Sequence, residues 1–376
     1  MPRVTLDDPD GTLSMLRESV AQFAAQHDGG RILRNKRERA ADLDKTGWAV
    51  MAQAGWTGLL LPEALGGPGL GMREQAVLSE ALGRALIAEP VASASVFSSV
   101  LIADAPASEE CRRLAEGIVD GRLIVAPAWQ DSAGGRRTAV SVARTTGGVL
   151  LNGTKHFVEA ARSATDFLVF AMSVDGAVLL SVPADATGLS IADRPGIDGA
   201  PIATLSFTDC FVPSNRLVAE GGRGDGLLER ALLRARLALA AELAGAASSA
   251  LERTVAYTRN RVQFGKPIAS FQAIQHRLVD MWMEAEFACA AVANAVEMLT
   301  ADDDGLGSQL AVLAAKARAG DAASSICRRA VHLHGAMGFT DECDIGLYLK
   351  RVINLNASLG QPEQLRLQFV NLERAA

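Results

Sequence analysis

At 376 residues the chain exceeds the size at which a single hydrophobic core stops growing, so two or three subdomains are expected. It is 49% apolar and 21% charged with a net charge of −6, which excludes wholesale disorder and argues against a nucleic-acid partner. Cys111, Cys210, Cys289, Cys327 and Cys343 are scattered with no CxxC pair, so no structural metal or disulfide framework is expected and a reducing, cytoplasmic compartment is.

The stretch from Met1 to Gly11 carries acidic residues and no apolar core, so no secretory signal is expected there. Residues 1–118 read as an N-terminal helical domain. Asp10 and Ser14 offer capping-type starts, and Leu16, Val20, Phe23 and Ala24 recur at helical spacing. The glycines and prolines between Pro62 and Gly69 predict a tight loop, a helix is predicted from Met72 to Leu86, and Pro90 ends the next short segment. Residues 119–222 change character. Short β-branched runs at Leu123–Val125, Val140–Ala143, Val149–Leu151, Phe167–Phe170, Val178–Val182 and Thr204–Phe207 alternate with Gly, Asp and Pro, which predicts a small β-barrel or sandwich. The glycine-rich run Glu220–Gly226 predicts a hinge.

Residues 223–376 are almost wholly helical in pattern, with helices predicted near 227–260, 268–300, 307–335 and 344–373. Asp302–Gly307 separates the second from the third, and such short connections favour an antiparallel four-helix bundle. The fold class is therefore α+β, mainly α. Leu237–Leu251 comes nearest to a membrane-length apolar run, but Glu242 interrupts it, so no membrane span is expected.

The most specific signal lies at residues 261–275. Arg261, Phe264-Gly265, Ile268 and Phe271-Gln272 make the pattern RxxFGxxIxxFQ, which resembles the acyl-CoA dehydrogenase family. Four further matches follow in chain order: Pro62-Glu63 and Gly66-Gly67 with Glu80 and Gly83; Gly153–Val158; Phe207-Thr208-Asp209 with Val212-Pro213; and His332–Phe339. The resemblance covers nearly the whole chain. It implies the family's order of N-terminal helices, small β-barrel and four-helix bundle, with FAD as cofactor and an acyl-CoA as substrate. It also implies an electron-transfer flavoprotein as acceptor, and assembly as a homodimer, homotetramer or heterotetramer with a related chain.

FAD needs a cation or amide donors for its pyrophosphate and an aromatic wall for its ring. The resemblance implies that Arg261 and Gln272 reach the pyrophosphate and adenine end of FAD in a neighbouring subunit, with Phe264 packing beside them. The turn from Gly335 to Gly338 would bring backbone amides to the same pyrophosphate. Within that match, His332 stands where the family usually has glutamine, and Ala336 where it has a second glycine. Phe157 and Val158 match the barrel tryptophan and the backbone amides at the flavin's reactive edge. Phenylalanine keeps the aromatic wall but lacks the indole N–H. Trp129, in a loop where relatives usually carry a Thr-Glu pair, either faces the flavin or lies at a surface or interface.

The implied reaction removes the α-proton of a thioester with a carboxylate while the β-hydrogen leaves as hydride. In many family members the base is the glutamate of a Tyr-Glu-Gly-Thr run. The matching stretch here is Ser358-Leu359-Gly360-Gln361, and Leu359 accepts no proton; Glu363 lies a few residues late. A second family arrangement puts the glutamate just before an arginine of the first bundle helix, matching Ala235 and Arg236. Glu242 is the third candidate. It follows Ala235 by nearly two turns, which projects it at a similar angle about 10 Å further along. A carboxylate on an apolar helix face holds its proton more tightly than usual, which suits a base. Otherwise Glu242 pairs with an arginine across the bundle or faces solvent. Arg236 either orients the base, touches the substrate pocket, or bridges to an adjacent helix. Two functions follow: an FAD-dependent dehydrogenase with Glu242 as base, or a partner-dependent FAD-binding subunit of a heteromeric enzyme.

Overall fold

The computed structural model describes residues 1–131, 140–220 and 223–375. Helices α1 (Thr12–Gln26), α2 (Gly29–Arg39), α3 (Lys45–Gln53), α4 (Met72–Arg84), α5 (Ser98–Asp104) and α6 (Glu109–Val119) come first. Strands β1 (Val125–Ala128), β2 (Ser141–Thr145), β3 (Gly148–Val158), β4 (Asp166–Ser173), β5 (Gly176–Pro183), β6 (Leu189–Pro195), β7 (Pro201–Pro213) and β8 (Leu217–Ala219) follow. The long helix α7 (Arg223–Asn260), a hairpin of β9 (Val262–Gln263) and β10 (Lys266–Pro267), and helices α8 (Gln272–Ala301), α9 (Leu306–His334), α10 (Ile345–Ala357) and α11 (Pro362–Ala375) complete the chain. Among the described residues no helix is long and apolar enough to cross a membrane. The chain divides into two compact units, each described by itself.

One unit comprises Lys36–Gly71 and Glu89–Ala235. Its eight-stranded sheet runs in the order β6-β7-β3-β2-β4-β5-β8, with β1 paired in parallel to β4. Period-two alternation in β7 turns Ala203, Leu205 and Phe207 inward, where they pack with Leu151, Val158, Phe167, Val169 and Leu180. The predicted loop at Pro62–Gly69 holds a short 3-10 turn at Glu63–Leu65, closed by Gly66 at φ +81°. Gly67 packs so tightly that an added Cβ would lie 2.1 Å from the Leu61 carbonyl oxygen. Val91–Phe97 forms a buried π-helical stretch leading into α5.

The other unit comprises Met1–Asn35, Met72–Ala88 and Arg236–Ala376. In it α8, α10 and α11 all pack on α9. Helices α4 and α7 approach backbone to backbone at two glycines. A Cβ on Gly83 would sit 2.1 Å from the Glu242 carbonyl oxygen, and one on Gly245 would sit 2.0 Å from that of Glu80. The single helix predicted near 344–373 is in fact two. Leu359 and Gly360 adopt φ of +56° and +114°, and Pro362 opens α11 at the position where its missing N–H costs nothing. Of the predicted hinge Glu220–Gly226, Gly221 and Gly222 lie outside the described residues, while Arg223 already begins α7.

Candidate active site and cofactor-holding residues

The loop between α10 and α11 carries Ser358–Gln361, the stretch that the resemblance sets against the family's glutamate, and two cations hold it. Arg236 donates from Nε to the Leu359 carbonyl at 2.9 Å. Lys316, fully buried on α9, donates from Nζ to the carbonyls of Leu355 at 3.1 Å and Asn356 at 3.4 Å. These contacts satisfy carbonyls that the end of α10 leaves open, and place positive charge where the helix dipole favours it. Burial pushes the Lys316 ammonium down to about 7, and the neighbouring charge of Arg236 pushes the same way. Leu359 itself keeps a left-handed backbone, and Ala235 is buried and inert. Of the roles open to Arg236, the structure displays a loop-holding one.

Glu242 is buried, and its Oε1 accepts from Arg351 of α10 at 3.0 Å (Nε) and 2.8 Å (a terminal nitrogen). The apolar surroundings read from the sequence are real, yet the partner lies 109 residues away on another helix. Protonating a carboxylate that takes two charge-assisted hydrogen bonds on one oxygen would neutralise it and leave a buried guanidinium without its anion. That works against a proton-abstracting role. Gly245, three residues after Glu242, is where α7 meets α4.

The RxxFG segment is a β-hairpin. Phe264 and Gly265 both have positive φ, +55° and +77°, the signature of a two-residue turn matched to strand twist. The turn leaves Phe264 91% exposed, with Phe271 edge-on at 6.1 Å and the Lys266 ammonium 4.4 Å above the Phe271 ring. Arg261 is fixed through its backbone, its N–H donating to the Tyr257 carbonyl at 2.8 Å. The side chains of Arg261 and Gln272 are exposed and, among the described residues, take no hydrogen bond or ion pair.

At the end of α9, Gly335 at φ +61° turns the chain into a 3-10 segment that exposes Ala336, Met337 and Phe339. Gly338 is the tightly packed glycine, since a Cβ there would lie 2.6 Å from the Val331 carbonyl oxygen. His332 points to solvent. The engaged histidine is His334, which the sequence reading did not single out. It stacks on Tyr257 with ring centroids 4.3 Å apart, and its carbonyl accepts from the Tyr257 hydroxyl at 3.2 Å. Burial pushes its imidazole below the usual histidine range, more than its contact with the Ala330 carbonyl raises it. Tyr257 thus joins the glycine turn to the segment that begins at Arg261, so two of the predicted groups come together.

In the sheet-containing unit, Phe157 is 37% exposed with φ +57°, at a break in the β3–β7 register between Lys155 and Val158. The Val158 side chain belongs to the core, leaving its backbone as what it offers a ligand. Trp129 is half-buried and stacks with Phe97 at 6.3 Å. Its loop is tied to β3 by two neighbours of Phe157. Lys155, fully buried, binds Asp131 at 2.5 Å and the Trp129 carbonyl at 3.4 Å, and the His156 N–H donates to the Gln130 carbonyl at 2.7 Å. Burial lowers the Lys155 ammonium and Asp131 opposes that shift. Lys155 belongs to the Gly153–Val158 motif, but its burial has no signal in the sequence, because β3 does not alternate and buries Gly148, Leu151, Lys155 and Val158.

Profiles of three domains match the chain: acyl-CoA dehydrogenase N-terminal domain at residues 11–121, middle domain at 131–210 and C-terminal domain at 222–368. The acyl-CoA dehydrogenase IpdE2 of Mycolicibacterium smegmatis is 30% identical over 359 residues, 94% of this chain and 96% of that protein. Benzylmalonyl-CoA dehydrogenase of Aromatoleum aromaticum is 31% identical over 328 residues, covering 84% and 86% respectively. Among solved structures, a variant of the Tcur3481-Tcur3483 steroid ACAD superimposes with a TM-score of 0.85 at 30% identity, covering 96% of this chain and 98% of that one. The ChsE4-ChsE5 complex of Mycobacterium tuberculosis gives 0.89 at 24% identity, covering 98% and 99%. The chain belongs to the acyl-CoA dehydrogenase family, whose members are enzymes acting on acyl-CoA.

Proposed function

We propose that this chain is an FAD-binding subunit of an acyl-CoA dehydrogenase that converts an acyl-CoA thioester to the 2-enoyl-CoA, with the proton-abstracting carboxylate supplied by a related partner chain. The observation that carries the proposal is the Glu242–Arg351 ion pair, taken with leucine at 359 and alanine at 235. All three places where this chain could keep its own base are then filled by apolar or ion-paired side chains. Two relatives whose names join two proteins, Tcur3481-Tcur3483 and ChsE4-ChsE5, support a heteromeric assembly. The first is described as a steroid enzyme, which supports a bulky, ring-bearing acyl group.

The residues present fit FAD. Arg261 and Gln272 turn uncommitted donors outward, the exposed turn at Gly335 offers backbone amides, and Phe157 offers a part-exposed aromatic face. FAD held by these residues would supply the acceptor for the β-hydride, and an electron-transfer flavoprotein would take up its electrons. This chain's own part is to hold and screen: Arg261 neutralises pyrophosphate charge, the Gly335 turn lets backbone approach it, and Phe157 excludes water from one side of the ring. Lys155 and Asp131 fix the loop beside Phe157, and Arg236 with Lys316 fixes the Leu359 loop.

A second reading keeps Glu242 as base after Arg351 moves aside, and its support is the burial of that carboxylate on an apolar face of α7. Glu242→Gln in the assembled, FAD-loaded enzyme separates the two. The proposal expects turnover with an acyl-CoA to stay within a few-fold of wild type. Loss of turnover with FAD retained would transfer the assignment to the second reading.

A further inference from the structure

Phe157 is held in a way that stability does not explain. The β3–β7 ladder pairs Lys155 with Leu205 and then Val158 with Ala203, so His156 and Phe157 fall out of register. Phe157 takes a left-handed backbone at φ +57° while more than a third of its surface stays in solvent. Against its ring lies Arg194 of β6, an edge strand, with the guanidinium carbon 5.5 Å from the ring centroid. The Arg194 side chain is exposed and, among the described residues, takes no hydrogen bond or ion pair. A left-handed φ strains a residue bearing a β-carbon by more than an exposed cation–π contact returns. The pair therefore costs the fold something, and Lys155 and His156 anchor the backbone around it to the 129–131 loop. Strain maintained in this way is what a presenting surface needs.

We propose that Arg194 is a positioning residue for the flavin wall: it clamps the Phe157 ring and sets a fixed positive charge behind it, which biases bound flavin towards its reduced, more electron-rich form. The inference rests on the reading of Phe157 as that wall. A cation behind the ring draws ring electron density towards itself and stabilises negative charge gained on the far side. Neighbouring Asp193 does not cancel it, because its carboxylate pairs with Arg162 at 2.9 Å.

The test is anaerobic reduction of the FAD-loaded protein against a reference dye of known potential, with visible spectra, for wild type, Arg194→Gln and Arg194→Lys. Far-ultraviolet circular dichroism checks that the fold is intact. Arg194→Gln should shift the reduction equilibrium roughly threefold towards oxidised flavin, the size of an exposed cation–π contact. At 29.6 mV per tenfold change for a two-electron couple, that is about 14 mV lower. Arg194→Lys should keep most of the potential but alter the visible flavin bands, since an ammonium carries the charge without the flat guanidinium face. A potential and spectrum unchanged in Arg194→Gln overturn the inference and leave the functional reading standing. Failure of the wild-type protein to take up FAD overturns both.

Discussion

Replacing Arg351 by leucine removes the guanidinium that donates twice to the buried Oε1 of Glu242. Both side chains are about one-tenth exposed or less, so water screens the lost attraction little. Two unit charges 4 Å apart at an effective dielectric of 20 interact by about 4 kcal/mol. Measured losses on breaking one side of a buried pair run to about 3–5 kcal/mol, while replacing both partners by apolar groups is often neutral. A double-mutant cycle of Glu242→Leu, Arg351→Leu and their combination should therefore be strongly non-additive. Native-state hydrogen exchange is the suitable assay, because it reads the opening free energy of α7 and α10 without assuming that the two units unfold together. Each single variant should lower protection of the slowest α10 amides by about 3–5 kcal/mol, and the double variant by less than either. Additive losses, or an Arg351→Leu change below about 1 kcal/mol, would show that the pair is not a structural unit and that Glu242 is available for other work.

Arg261→Ala should weaken FAD binding roughly 10- to 100-fold, the range of one charge-assisted hydrogen bond, with the thermal midpoint of the FAD-free protein unchanged because the side chain is exposed; flavin fluorescence titration measures the first and calorimetry the second. Lys316 gives a pH prediction. Its ammonium falls to about 7 in the folded chain from 10.5, so between those values the unfolded chain binds more protons and stability rises with pH. Relative to Lys316→Met, the wild-type protein should therefore gain up to about 1.4 kcal/mol per pH unit above pH ~7. Parallel stability curves for the two proteins from pH ~7 to ~10 would refute that sign and its cause.

What the sequence made legible depended on how local the determining physics was. The RxxFG pattern was legible as a family resemblance, whereas the hairpin it forms, with Phe264 and Gly265 as its two-residue turn, was not predicted although turn chemistry is written in adjacent residues. Six of the eight strands of the sheet, all but β6 and β8, and the long helices α7, α8 and α9 follow from local pattern. The break between α10 and α11 was open to reading from Gly360 and Pro362 but was obscured by helical periodicity that continues on both sides. The ion pair of Glu242 was legible only as an alternative, an arginine somewhere across the bundle, and not as Arg351. The isolation of Glu242 along α7 is a one-dimensional fact, and Arg351 reaches it only because α10 folds back against α7. The same limit hid the contact of Arg194 with Phe157, which comes from two strands that both pair with β7. Gly245 marks a close crossing with α4 that one sequence alone does not reveal.

The central claim, that the proton-abstracting carboxylate is not in this chain, is tested most directly by anaerobic flavin bleaching. The chain is purified alone, loaded with FAD, and mixed with a panel of acyl-CoA thioesters that includes ring-bearing ones, and the same panel is run after co-expression with a related acyl-CoA dehydrogenase chain. The account predicts a persistent yellow spectrum for the chain alone and bleaching for the assembled pair. Rapid bleaching of the chain alone by any thioester of the panel would contradict it.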